Sequence, residues 1–116
     1  MKKGIRLDPI SLTLFYSYLG IAYFGAEQFK DALMIFKQVL KSAEKGESNL
    51  VWAHRNLAMT YAMLDQKKEA QFHVAELLKL DPSFTVEGFS KTIVYKNQVD
   101  ADRLINALRK AGLPYS

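Results

Sequence analysis

Apolar residues recur along most of this chain at intervals of three and four, the spacing that gathers them on one side of an α-helix. The pattern predicts four helices near residues 12–25, 28–43, 49–64 and 67–79, with further helical segments beyond residue 84. The expected fold class is therefore all-α. Asp65-Gln66 leaves so short a turn that the helices flanking it must run antiparallel. Asp81-Pro82 stops the fourth helix, because proline cannot continue the hydrogen-bond ladder and restricts the residue before it. Leu7-Asp8-Pro9 has the same form and reads as the terminator of an earlier element, which makes residues 1–11 its remnant.

The pattern also repeats. Leu19-Gly20-x-x-Tyr23 returns as Leu57-Ala58-x-x-Tyr61, an offset of 58 − 20 = 38 residues. Nine residues beyond each tyrosine stands an alanine, Ala32 and Ala70, and four further on come Phe36 and Val74. The polar, glycine-centred Lys45-Gly46-Glu47-Ser48 is the natural insertion between the units. Gly20, Ala32, Ala58 and Ala70 sit where two helices must approach closely, and large neighbours such as Tyr23 and Tyr61 fill the space around them.

These residues resemble the tetratricopeptide repeat, whose signature runs aromatic-x-x-Leu-Gly-x-x-Tyr, then alanine, then an aromatic, then proline. Tyr16, Leu19, Gly20, Tyr23, Ala32 and Phe36 fill it once, and Leu57, Ala58, Tyr61, Ala70 and Pro82 fill it again. The second unit departs from it at His54, Ala58 and Val74, and Glu44 stands where the first unit's proline is expected. The resemblance implies a right-handed α–α superhelix of two helix pairs, residues 12–48 and 49–83, closed by a helical cap over 84–116. It also implies a non-enzymatic protein-interaction module.

In the tail, Thr85 is the expected N-cap of a helix bearing Val86, Phe89 and Ile93 on one stripe. After a loop at Tyr95-Lys96-Asn97, a second helix gathers Ala101, Leu104, Ile105 and Leu108 on one face. Asp100 and Asp102 suit its start, Arg109-Lys110 its last turn, and Gly112 with Pro114 its end. Residues 81–114 further resemble the closing segment of bacterial signalling proteins that carry such arrays behind a nucleotide cyclase or a winged-helix domain. That likeness implies a C-terminal sensory or scaffold region of a larger cytoplasmic protein.

Composition narrows the chemistry. There is no cysteine, so disulfides, thiolate nucleophiles and Cys-ligated zinc are excluded, in keeping with a reducing compartment. The net charge is +4, yet residues 12–83 balance eight basic against eight acidic residues. The excess is thinly spread at the two ends rather than gathered on a face, which argues against a nucleic-acid partner. Pro9 to Ala26 is free of charge, but Ser11, Thr13, Ser17, Gly20 and three tyrosines dilute it, so a buried soluble helix is expected rather than a membrane span. The six glycines form no phosphate cradle, and His54 and His73 lack metal-ligand spacing. No catalytic residue, cofactor or metal ligand is expected.

What remains is the other side of the first helix in each pair. Leu14, Ser17, Ile21 and Phe24 follow helical spacing, offset from a packing stripe of Phe15, Leu19 and Tyr23. Trp52, Arg55, Met59 and Ala62 are their counterparts, with Met63 beside them. In the family this side lines the concave groove, and Asn56 matches a position whose amide holds a ligand backbone. Trp, Arg and Met supply area, donors and adaptable packing for a protein or peptide. Arg55 and Asn56 alone are too few to clamp a terminal carboxylate, so a mostly apolar ligand face is expected. The sequence leaves open that these residues pack instead on further helices, on the chain's own tail, or on a second copy in a homodimer.

Overall fold

The computed structural model describes residues 8–91 and 98–116, the backbone alone for residues 98–100. Six helices follow in order among these residues: α1 (Pro9–Gly25), α2 (Phe29–Glu44), α3 (Leu50–Met63), α4 (Lys67–Leu80), α5 (Val86–Ser90) and α6 (Gln98–Ala111). No strand occurs among the described residues. The helices pack as antiparallel pairs, α1 with α2 and α3 with α4, and α2 lies against α3 to join the pairs.

Local chemistry sets the helix ends. Asp8 caps α1 through its carboxylate, which accepts from the Ser11 amide at 2.7 Å, with Pro9 in the first turn. That hydrogen bond holds the Asp8 carboxyl below its usual range. Asp8-Pro9, expected to close an earlier element, thus opens α1 and begins it three residues before the expected start. Proline is favoured at this position because its missing N–H has no partner to lose there. Asn49 and Thr85 cap α3 and α5 in the same way, accepting from Trp52 and Gly88 amides. Gly46 and Gly112 take the positive φ that ends α2 and α6. Leu7, Ile93 and the expected loop at 95–97 lie outside the described residues.

The two interhelical turns are built alike. Glu27 and Asp65, again 38 residues apart, both adopt left-handed backbone, with φ of 62° and 59°. Beyond them the Gln28 and Gln66 amides each donate to a tyrosine carbonyl, Tyr23 and Tyr61, at 2.9 Å. These long bonds close the helix end as a left-handed cap does.

Small residues permit the close crossings. Gly20, Ala32, Ala58 and Ala70 are all buried. The Phe36 ring lies directly over Gly20, so a Cβ there would come within 2.8 Å of Phe36 Cδ1. The packing stripe of α1 is rotated from the expected one. Thr13, Gly20 and Phe24 are its buried residues, whereas Phe15 is 55% exposed. The cause is Gly20: the close approach of α2 at that residue fixes which side of α1 turns inward.

The tail takes one of the positions the sequence leaves open. α6 makes its main contacts with α3, and lesser ones with α4 and α5. Leu104, Ala107, Leu108 and Ala111 of α6 share one buried cluster with Met59, Ala62 and Phe24. At its polar edge, Arg103 donates to the Gly25 carbonyl and pairs with Glu27. Seven residues on, Lys110 pairs with Asp65 at 3.2 Å. One helix therefore reaches the turns of both pairs, since two helical turns of about 11 Å match the spacing of neighbouring helices.

Candidate functional site

α1, α3 and the tail segment bound an open groove of about 820 Å³. Leu14, Ser17, Tyr18 and Ile21 form one wall from α1. Val51, Trp52, Arg55 and Asn56 of α3 form the floor and rim, and Phe84, Phe89 and Leu104 close the far side. Helical spacing explains the alignment on α1 and α3: each set falls on one side of its helix at intervals of three and four.

Six residues expected at a binding face are thus brought together: Leu14, Ser17, Ile21, Trp52, Arg55 and Asn56. Three other large side chains expected there are not, and Ala62 is buried with them. Phe24 is 1% exposed and packs edge-on against Phe29, 5.1 Å between ring centres. Met59 is fully buried, in the cluster that α6 completes. Met63 is half-buried beside Arg103 and Asn106 of α6, away from the groove. The physical reason is common to all three. They lie toward the C-terminal ends of α1 and α3, and Phe24 and Met59 share one buried cluster with α6.

Arg55 is the only cation that lines the groove among the described residues, and it is held firmly. Its guanidinium donates to Asn56 Oδ1 at 3.0 and 3.2 Å and lies 4.5 Å from the centre of the Phe89 ring. The Trp52 ring centre is 6.0 Å away. Cation–π contact of this kind orders a long side chain and leaves an aromatic-rimmed, largely apolar trough. Phe84 and Phe89 were not expected at the site. Phe84 and Phe89 carry the periodicity of a packed tail, and nothing local reveals that the tail folds back over α3.

Outside the groove, His54 and His73 meet across the second helix pair, Nδ1 to Nδ1 at 2.9 Å. Their positions, eleven residues before and eight after Asp65, are the signal for this pairing across an antiparallel hairpin. One ring donates and the other accepts, an arrangement two neutral rings can make. Burial lowers both pKa values, that of His73 to about 4, with His54 adding to the effect there. Glu76 and Glu44 oppose the shift at His54, and Lys37 assists it at His73. The Tyr61 ring stacks on His73 and the Phe72 ring meets it edge-on, which seals the pair.

The linkage sign follows. Each folded pKa lies below the unfolded value of about 6.5, so the stabilisation is complete above 6.5 and declines as pH falls toward 4. Stability is expected to drop by about 1–2 kcal/mol between pH 7.5 and pH 5. Urea unfolding at the two pH values measures it, and His73→Gln should halve the difference or more. An unchanged slope in that variant would place the proton uptake elsewhere.

Among the described residues no group of three or more His, Cys, Asp or Glu side chains could hold a metal ion. No helix among them is long and apolar enough to cross a membrane. The fold and the groove together define a solenoid of paired helices. The family model described as tetratricopeptide repeat matches residues 11–83, and the chain belongs to that family. Neither curated proteins nor solved structures yielded a match. Proteins of this family mediate protein–protein interaction and are typically not enzymes.

Proposed function

We propose that the groove between α1, α3 and the tail binds a short, mostly apolar peptide segment of a partner protein. Residues 12–48 and 49–83 serve as the two repeat units and 84–116 as the helical cap. The chain acts as a C-terminal sensory or scaffold region of a bacterial signalling or regulatory protein in the cytoplasm, with no catalytic role, cofactor, nucleic-acid partner or membrane contact of its own. The observation that carries this reading is the convergence of Leu14, Tyr18, Ile21, Trp52, Phe84 and Phe89 on one open trough. Aromatic and arginine side chains are the groups that supply most of the energy at protein interfaces.

α6 restricts what fits. With the C-terminal part of the concave side covered, the groove takes a short segment rather than one running the length of the array. Trp52, the single tryptophan, is 48% exposed at its rim and reports on occupancy by fluorescence. Selection from a displayed peptide library should yield apolar sequences that shift the Trp52 emission to the blue. Trp52→Ala or Phe89→Ala should weaken their binding at least tenfold, about 1.4 kcal/mol. Phe72→Ala, on the exposed side of α4, should leave it unchanged. Selected peptides indifferent to Trp52 and Phe89 would refute the groove as the binding site.

A further inference from the structure

α1 is apolar all the way round, and a helix of that kind is covered on more than one side in a folded assembly. Its inner side meets α2 and the core, but its outer side is bare. Ile10, Leu14, Phe15 and Tyr18 are 58%, 41%, 55% and 73% exposed and lie on one stripe with the exposed Ala22. Ile10, Leu14, Tyr18 and Ala22 form a single ridge at intervals of four, the ridge that interlocks in the commonest helix–helix packing. No charge interrupts it between Pro9 and Ala26. Two exposed apolar residues of the second helices differ. Met34 stands among Lys30, Lys37 and Gln38, and Phe72 among Lys68, Glu69 and Gln71.

We propose that this stripe is the contact between two copies of the chain, α1 lying antiparallel on its partner's α1 about a two-fold axis. A two-fold contact sets a surface against itself, so any net charge on it repels its own image. The outer side of α1 is free of that cost. A charged partner would gain nothing from it, and an identical neutral stripe matches it ridge for groove. The large side chains offer on the order of 500 Å² per copy, at roughly 200 Å² for one fully exposed. Ser11, Ala22 and the adjoining backbone bring this to about 600 Å² per copy, the size of a weak, reversible interface. The Tyr18 hydroxyl keeps the middle of the stripe wettable, which suits an association that dissociates at low concentration.

Sedimentation of the full chain between 1 and 200 μM tests the proposal. The expected result is a shift from 13.2 kDa toward twice that mass. Phe15→Glu should raise the dissociation constant at least thirtyfold while leaving helix content and melting temperature as they are; because Leu14 and Tyr18 belong to both surfaces, peptide binding should persist and tighten once the dimer is broken. Trp52→Ala should do the reverse, losing peptide and keeping the dimer, so the two readings fail separately. Because the chain contains no cysteine, Tyr18→Cys should form a disulfide-linked dimer under mild oxidation much faster than Phe72→Cys. A single species of 13.2 kDa at every concentration would overturn the proposal. So would a dimer indifferent to Phe15→Glu, or a mass that grows past two copies.

Discussion

Gly20→Leu is expected to destabilise the protein by about 3 kcal/mol, the upper range for forcing volume into a packed contact. The magnitude follows from what lies over Gly20. Even a bare Cβ would fall 2.8 and 2.9 Å from Phe36 Cδ1 and Cζ, and Phe36 is itself fully buried. The ring cannot swing aside without opening the crossing of α1 and α2. Gly20→Ala should cost less, and combining it with Phe36→Leu should restore part of the loss, because the smaller side chain vacates the space the Cβ needs. Chemical unfolding of the four proteins measures this coupling. Additive losses would mean that Gly20 and Phe36 do not meet as described.

Met59→Ala is expected to cost about 2–4 kcal/mol, the usual cost of a cavity left by a large buried side chain. Its place in the repeat marks it as a groove residue, and by that reading truncation would leave stability nearly unchanged. The structure reverses the expectation, since Met59 is fully buried beneath α6. Trp52→Ala, on the same face about two turns earlier, should cost under about 1 kcal/mol, because half of Trp52 is exposed already. Equal losses at the two positions would show that α6 does not sit on α3. The pair of measurements also separates concave positions available to a ligand from those the chain has filled itself.

Most of the architecture was legible because it is written in local and repeating signals. The small residues at 20, 32, 58 and 70 mark the crossings, the tyrosines at 23 and 61 precede matching turns, and Asp81-Pro82 ends α4 at Leu80. The groove was half legible for the same reason. Leu14, Ser17, Ile21, Trp52, Arg55 and Asn56 share a side of their helices wherever the helices go. Phe24, Met59 and Met63 could not be placed, because their exposure depends on where α6 docks. The stripe of Ala101, Leu104 and Leu108 announces that α6 packs, and periodicity says nothing about which surface receives it. The contact of Arg103 with Gly25 spans 78 residues, and no window of sequence reveals such a pairing.

That crossbar alters how the molecule comes apart. Arrays of this kind ordinarily fray unit by unit, because each repeat touches only its neighbours. Here α6 shares one buried cluster with side chains of both hairpins and its edge reaches Glu27 and Asp65, so opening either hairpin uncovers part of the strut that braces the other. The amides of α1 and α4 are thereby tied to a single event, and their exchange with solvent should report one shared free energy rather than a gradient along the solenoid.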